Sequence, residues 1–158
     1  MSECSLCVYS SLIFLTNVFL ALYYDHYLYA FLFLLLTITS VIHHKQSTEF
    51  EKYKKCINII DKIAVYCVII YGGYIFYNKL KNTYIDYGYD YGYDYDYGYP
   101  INIKSIIIIV TFLAVVFLYG YGYLKNDYSF HPSPDVSQMY HGLLHLISSF
   151  GHHVIIIL

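Results

Sequence analysis

Two histidines four residues apart, His141 and His145, open the last apolar stretch of the chain, within Tyr140-His141-Gly142-Leu143-Leu144-His145. On a helix, such positions lie about 40° apart around the axis and one turn apart along it, so both imidazoles lean the same way. That pair suits a metal ion if other polar residues reach the same place. A second pair at the same spacing, Ser40 and His44, closes the second apolar stretch, and Asp61 stands in the first turns of the third. Three neutral imidazoles and a water make an open tetrahedral zinc site of the catalytic type. Zinc held in this way lowers the pKa of its water to about 7 and so provides a nucleophile at ordinary pH. Beside it, a carboxylate can take the proton or orient an imidazole, and a hydroxyl can steady developing negative charge.

Whether these residues meet depends on the elements that carry them. The chain has 158 residues, of which 58% are hydrophobic and only 13% charged, and its mean hydropathy is +0.47. The apolar residues come in long blocks divided by short polar ones, the pattern of an all-α integral membrane protein that crosses the bilayer repeatedly. Spans are expected over about 6–24, 27–44, 57–77, 101–124 and 139–158, forming one transmembrane domain over residues 1–158. Crossing by crossing, the end of the second span, the start of the third and the start of the fifth fall on one face of the bilayer. Ser40, His44, Asp61, His141 and His145 therefore share a layer by alternation alone. Ionisable groups inside a span are costly and point to function, with their partners named.

The net charge of −2 gives no ground for a nucleic-acid partner. Cys4, Cys7, Cys56 and Cys67 set out no disulfide framework, and Cys4-Ser5-Leu6-Cys7 is half of a zinc knuckle without its second half. Residues 84–99 alternate Tyr with Asp and Gly. Frequent Gly and Asp oppose a strand, so the segment reads as an acidic, unstructured loop with its tyrosines at the membrane interface. Among the remaining histidines, His43 points roughly 100° away from His44 on a helix and is the second-choice ligand. His152 shares the face of His141 and His145 but lies deeper, and is expected as a core histidine bonded to a neighbour ahead of the alternative that it lines the cavity. His153 points elsewhere, and His26 and His131 read as loop residues.

Ser40-x-x-x-His44 ending the second helix, Asp61 opening the third, and His141-x-x-x-His145 opening the last resemble the superfamily that joins alkaline ceramidases, progestin and adipoQ receptors and Per1-like proteins. Tyr140 to His145 looks most like the last-helix motif of the alkaline ceramidases. The resemblance implies a shortened version of a seven-helix bundle, with zinc on His44, His141 and His145. It also implies that Ser40 and Asp61 flank the metal's water, and that the activity is hydrolysis of a lipid amide or ester. Two of the seven spans are absent between Asp61 and the final histidines, an even number that preserves sidedness. Only Glu3 stands where ceramidases carry an acidic calcium-binding segment, and Leu144 stands where an aromatic residue is usual.

The expected function is thus zinc-dependent hydrolysis of a membrane lipid, in an endomembrane setting. Lys45, Lys52, Lys54, Lys55, Lys62 and Lys125 outnumber Lys79, Lys81 and Lys104 on the opposite side, which places the metal end toward the cytosol. A bis-histidine haem protein, using His43 or His44 with one histidine of the last helix, is the rival reading. A metal-binding relative without turnover is the third.

Overall fold

Helix is the only way for an isolated apolar segment to satisfy its own backbone inside a bilayer, and the apolar blocks all become helices. The computed structural model describes residues 5–45, 53–90 and 102–158. The first block is divided into α1 (Ser5–Ser11) and α2 (Phe14–Tyr23), and the second is α3 (Tyr27–His44). Next come α4 (Lys54–Asp90) and α5 (Ile103–Val116), the latter prolonged by a π turn over Phe117–Tyr121 into α6 (Gly122–Lys125). After a 3-10 turn at Tyr128–Phe130, α7 (Pro134–Ile157) completes the bundle. No strand occurs among the described residues.

The joints have local causes. Ser10 and Ser11 both donate to the Cys7 carbonyl, at 3.1 and 2.7 Å, and the N–H groups of Leu12 and Ile13 fall back three residues to Tyr9 and Ser10. Hydroxyls bonded back onto a helix carbonyl bend it, and here they separate α1 from α2. At the other end of α2, Asp25 takes the left-handed conformation at φ 60°. The N–H of His26 then returns to the Ala21 carbonyl at 2.8 Å and that of Asp25 to Leu22, a Schellman closure. Tyr27 locks this turn by donating its hydroxyl to Asp25 Oδ1 at 2.7 Å. Asn126, also left-handed at φ 56°, ends α6.

The spans expected over 6–24, 27–44 and 101–124 match their helices closely; the other two differ. The last begins at Pro134 rather than at Met139, because Ser133-Pro134-Asp135, assigned to a loop by its prolines, is a helix start. Proline fits the first turn, where its missing N–H is not needed, and an acid there meets the positive end of the helix. The helix of the third span runs on through Asp90. Residues 84–90, expected to be unstructured, are therefore helical, and the remainder of the tyrosine repeat lies outside the described residues. Cys56 and Cys67 are free thiols, whereas Cys7 is disulfide-bonded, a departure from the expectation that the cysteines form no disulfide framework.

Among the described residues, four helical stretches are long and apolar enough to cross a membrane: Leu6–Tyr23, Tyr27–His44, Lys54–Asn82 and Ile103–Phe130. The fifth expected span, α7, is as long but more polar, and its polarity is turned inward. His145 and Ser149 are buried, while Met139, Leu143, Leu146, Phe150 and Ile157 are exposed. Apolar outside and polar inside is what a helix in lipid requires. The first helical pair packs between α3 and α7, α4 covers the other flank of α3, and α5 covers the other flank of α7. Tyr29, Phe33, Val68 and Ile156 fill the middle. At the end away from His141, Lys79 from α4 donates to the Ile155 and Ile156 carbonyls at 3.1 and 2.7 Å, and Lys104 from α5 donates to Ile157 at 2.9 Å. These cations satisfy the last carbonyls of α7 and meet the negative end of its dipole.

Close approach fixes one residue type. A Cβ on Gly72 would lie 2.5 Å from the Tyr29 hydroxyl and 2.9 Å from Cε1 of His152, whereas a Cβ on Gly73 would meet nothing within 4 Å. The same one-methyl change should therefore act in opposite directions. Gly72→Ala is expected to destabilise the bundle by roughly 1–3 kcal/mol through overpacking, while Gly73→Ala should be neutral or stabilising through helix propensity. Paired thermal melts in detergent check this, and equal melting temperatures would mean that α4 does not pass this close.

Candidate metal centre

A polar layer occupies the end of the bundle where α3 finishes and α7 starts. His44 sits in the last turn of α3, and His141 and His145 follow one another on α7 a turn apart. Each offers a nitrogen, and these atoms lie within 4.8 Å of one another. Nε2 of His44 and Nε2 of His141 are 3.1 Å apart. Two nitrogens at about 2.0–2.1 Å from a tetrahedral zinc stand about 3.3 Å apart, so this pair has the spacing a shared metal needs. The rings meet edge to face or tilted, with centroids 4.7 Å apart for His44–His141 and His141–His145 and 5.5 Å for His44–His145. His44 and His145 are buried and His141 is half-buried. The donor set, three imidazoles from two helices, fits a zinc ion in both kind and number.

Haem suits this cluster less well. It needs two imidazoles on opposite faces of a broad planar macrocycle. Here the three rings touch one another, and Phe14 lies against His145 with centroids 5.2 Å apart, which leaves no slot for a plate. His43, the second-choice ligand, packs its ring on His44 at 4.9 Å but contributes no nitrogen to the cluster.

The two remaining expected site residues join the layer by other bonds. Asp61, half-buried on α4, accepts a hydrogen bond from Thr39 Oγ1 at Oδ1, 3.0 Å away. Ser40, buried on α3, pairs with Ser11 of α1 at 2.9 Å. Among the described residues neither makes a hydrogen bond to an imidazole. Asp61 and Ser40 are thus brought to the same end of the bundle but attached to its hydroxyls.

Sequence reasoning placed α1 within the first span but missed what its Ser10 meets. Ser10 Oγ lies 2.8 Å from Nδ1 of His145, and so reaches the back of an imidazole of the candidate metal centre. The available signal was a pair of adjacent serines inside an apolar block, which marks a face packed on other helices without saying which residue it meets. Deeper in the bundle, Asn17 Nδ2 donates to Ser149 Oγ at 2.6 Å, and His153 Nδ1 pairs with the Ser149 carbonyl at 2.7 Å. His152 bonds the Tyr29 hydroxyl, as expected of a core histidine bonded to a neighbour.

No protein-family model, no curated protein and no solved structure matches this chain.

Proposed function

We propose that the protein is a zinc-dependent membrane hydrolase that cleaves an amide or ester bond of a lipid, in the manner of the ceramidase-like superfamily that its motifs resemble. The observation that carries this reading is the cluster of His44, His141 and His145, with ligand nitrogens within 4.8 Å of one another at one end of a bundle of apolar helices. Three imidazoles leave the fourth position of a tetrahedral ion open, which is the arrangement of catalytic rather than structural zinc. Zinc bound there would supply Lewis acidity and a nucleophile at neutral pH.

The chain's own residues do the remainder. His44, His141 and His145 bind through nitrogen. Thr39 occupies Oδ1 of Asp61 and leaves Oδ2 to accept a proton from the attacking water. Ser40 carries the hydroxyl that steadies charge on the carbonyl oxygen, and it serves this role when its hydroxyl turns from Ser11 toward the substrate. Large apolar side chains line the outside of the helices around the site, among them Leu6, Ile42 and Leu143. A substrate with acyl chains would therefore arrive along the bilayer without leaving it.

Metal analysis of the purified protein should find about one zinc per chain, the stoichiometry of a three-histidine site. His44→Ala, His141→Ala and His145→Ala should each lose most of it, while His43→Ala should keep it. Zinc retained by any of the first three would end the assignment. Turnover is tested separately, with a panel of labelled ceramides, lysophospholipids and monoacylglycerols. Hydrolysis should disappear on chelation and return with zinc, and Asp61→Asn should lower kcat by at least a hundredfold while metal content stays unchanged. Bound zinc with no turnover on any lipid would instead favour a receptor-like or structural relative.

We further infer that the metal end faces the cytosol, in an endomembrane. Lys45, Lys54, Lys55, Lys62 and Lys125 are all exposed toward that end, and lysine excess in short loops marks the cytoplasmic side. With five crossings the chain termini must lie on opposite faces. A tag at the amino terminus should be digested in sealed vesicles while one at the carboxyl terminus is protected. Equal exposure of both tags would mean an even number of spans.

A further inference from the structure

We propose that Ser10 is the positioning residue of the metal centre, holding His145 as the Nδ1–H tautomer so that Nε2 presents a lone pair to the ion. This rests on the zinc reading of the three histidines. Ser10 has one hydroxyl hydrogen and two neighbours. Its contact with the Cys7 carbonyl, at 3.1 Å, can only be a donation, because a carbonyl accepts. What Ser10 turns toward Nδ1 of His145, 2.8 Å away, is then an oxygen lone pair, and the imidazole must supply the hydrogen. A neutral imidazole carries one N–H, so a proton fixed on Nδ1 leaves Nε2 free to coordinate.

The backbone supports the same assignment. The bend after Ser11 is the feature that aims Ser10 at α7, and the carbonyl that produces the bend also receives Ser11 at 2.7 Å. α1 lies against α7 beside Gly142, one residue after His141: a Cβ there would stand in ordinary contact, 3.5 Å from Ser10 Oγ. Phe14, one turn beyond Ser10, packs on the His145 ring with centroids 5.2 Å apart and restricts its rotation. The first helical pair thus fixes His145 both by a hydrogen bond from α1 to one nitrogen and by contact of α2 on its ring. Partners of this kind, on the far nitrogen of a ligating histidine, set its tautomer and raise its basicity, and their loss costs 10–100-fold in metal affinity.

The test is zinc affinity, measured by competition with a chromogenic chelator in detergent, for wild type, Ser10→Ala and Ser10→Thr. Ser10→Ala should bind 10–100-fold more weakly, and Ser10→Thr, which keeps the hydroxyl, should recover wild-type affinity. Equal affinity in wild type and Ser10→Ala would overturn the proposal while leaving the metal centre standing. A wild type that binds no zinc would instead overturn the metal centre itself. Should Ser10→Ala fail to fold, the wild type still decides. In the metal-free protein with nitrogen-15-labelled histidine, the His145 signal, identified by its absence from His145→Gln, should show Nδ1 protonated and Nε2 bare. The opposite pattern would overturn the proposal.

Discussion

The hydrocarbon of the bilayer offers polar groups nothing to bond, and that constraint shapes the rest of this structure. A hydroxyl or imidazole placed in a span must find its partner within the protein or pay several kcal/mol for burial alone. Among the described residues, the chain leaves Asn17 Oδ1 and Ser105 Oγ without a partner but meets most of the demand with short-range pairs between helices: Ser11 with Ser40, Thr39 with Asp61, Ser10 with His145, Asn17 Nδ2 with Ser149 and Tyr29 with His152. Each pair joins two helices, so the bonds that satisfy polar atoms also fix how the helices sit against one another. In lipid, where apolar contact alone gives helices little reason to associate, such bonds and close packing supply the specificity.

The same constraint explains why the histidines lie where they do. Imidazoles at the end of a span are close enough to the interface to be tolerated and deep enough to exclude most water. His44 and His145 are buried, whereas His141, a turn nearer the end of α7, is half-buried. Three mutually contacting rings without a shared ligand would leave at most one good N–H···N bond, between His44 and His141, for three ring edges. A shared cation would satisfy all three nitrogens together. This is the physical content of the proposed site, and it does not depend on the identity of the substrate.

Much of this was legible in the sequence because alternation across a bilayer is a strong rule. Span counting alone put His44 beside His141 and His145, although 96 residues separate the first from the second in the numbering (His141 minus His44, less one). The role of Ser10 was not legible, since a serine in an apolar block announces a packed face and not its partner. Ser133-Pro134-Asp135 was misjudged because prolines that stop one helix also start another. The helical residues up to Asp90 were missed because their composition argues against any regular structure, and continuation from a long preceding helix outweighs weak local propensity. Asp61 and Ser40 came to the right layer, but side-chain direction there is set by Thr39 and Ser11, and no spacing rule reveals such neighbours.

The two lysines at the far end of α7 have a mechanical consequence. Lys79 and Lys104 grip its last carbonyls from two different helices, which makes that end a pivot. His141 stands fifteen residues before Ile156, a lever arm of about 22 Å at 1.5 Å per residue. A tilt of roughly 5° about the pivot would carry the imidazole sideways by about 2 Å over that arm, comparable with a zinc–nitrogen bond. The spacing of the histidines is therefore governed in part by contacts at the opposite end of the bundle, away from the three imidazoles.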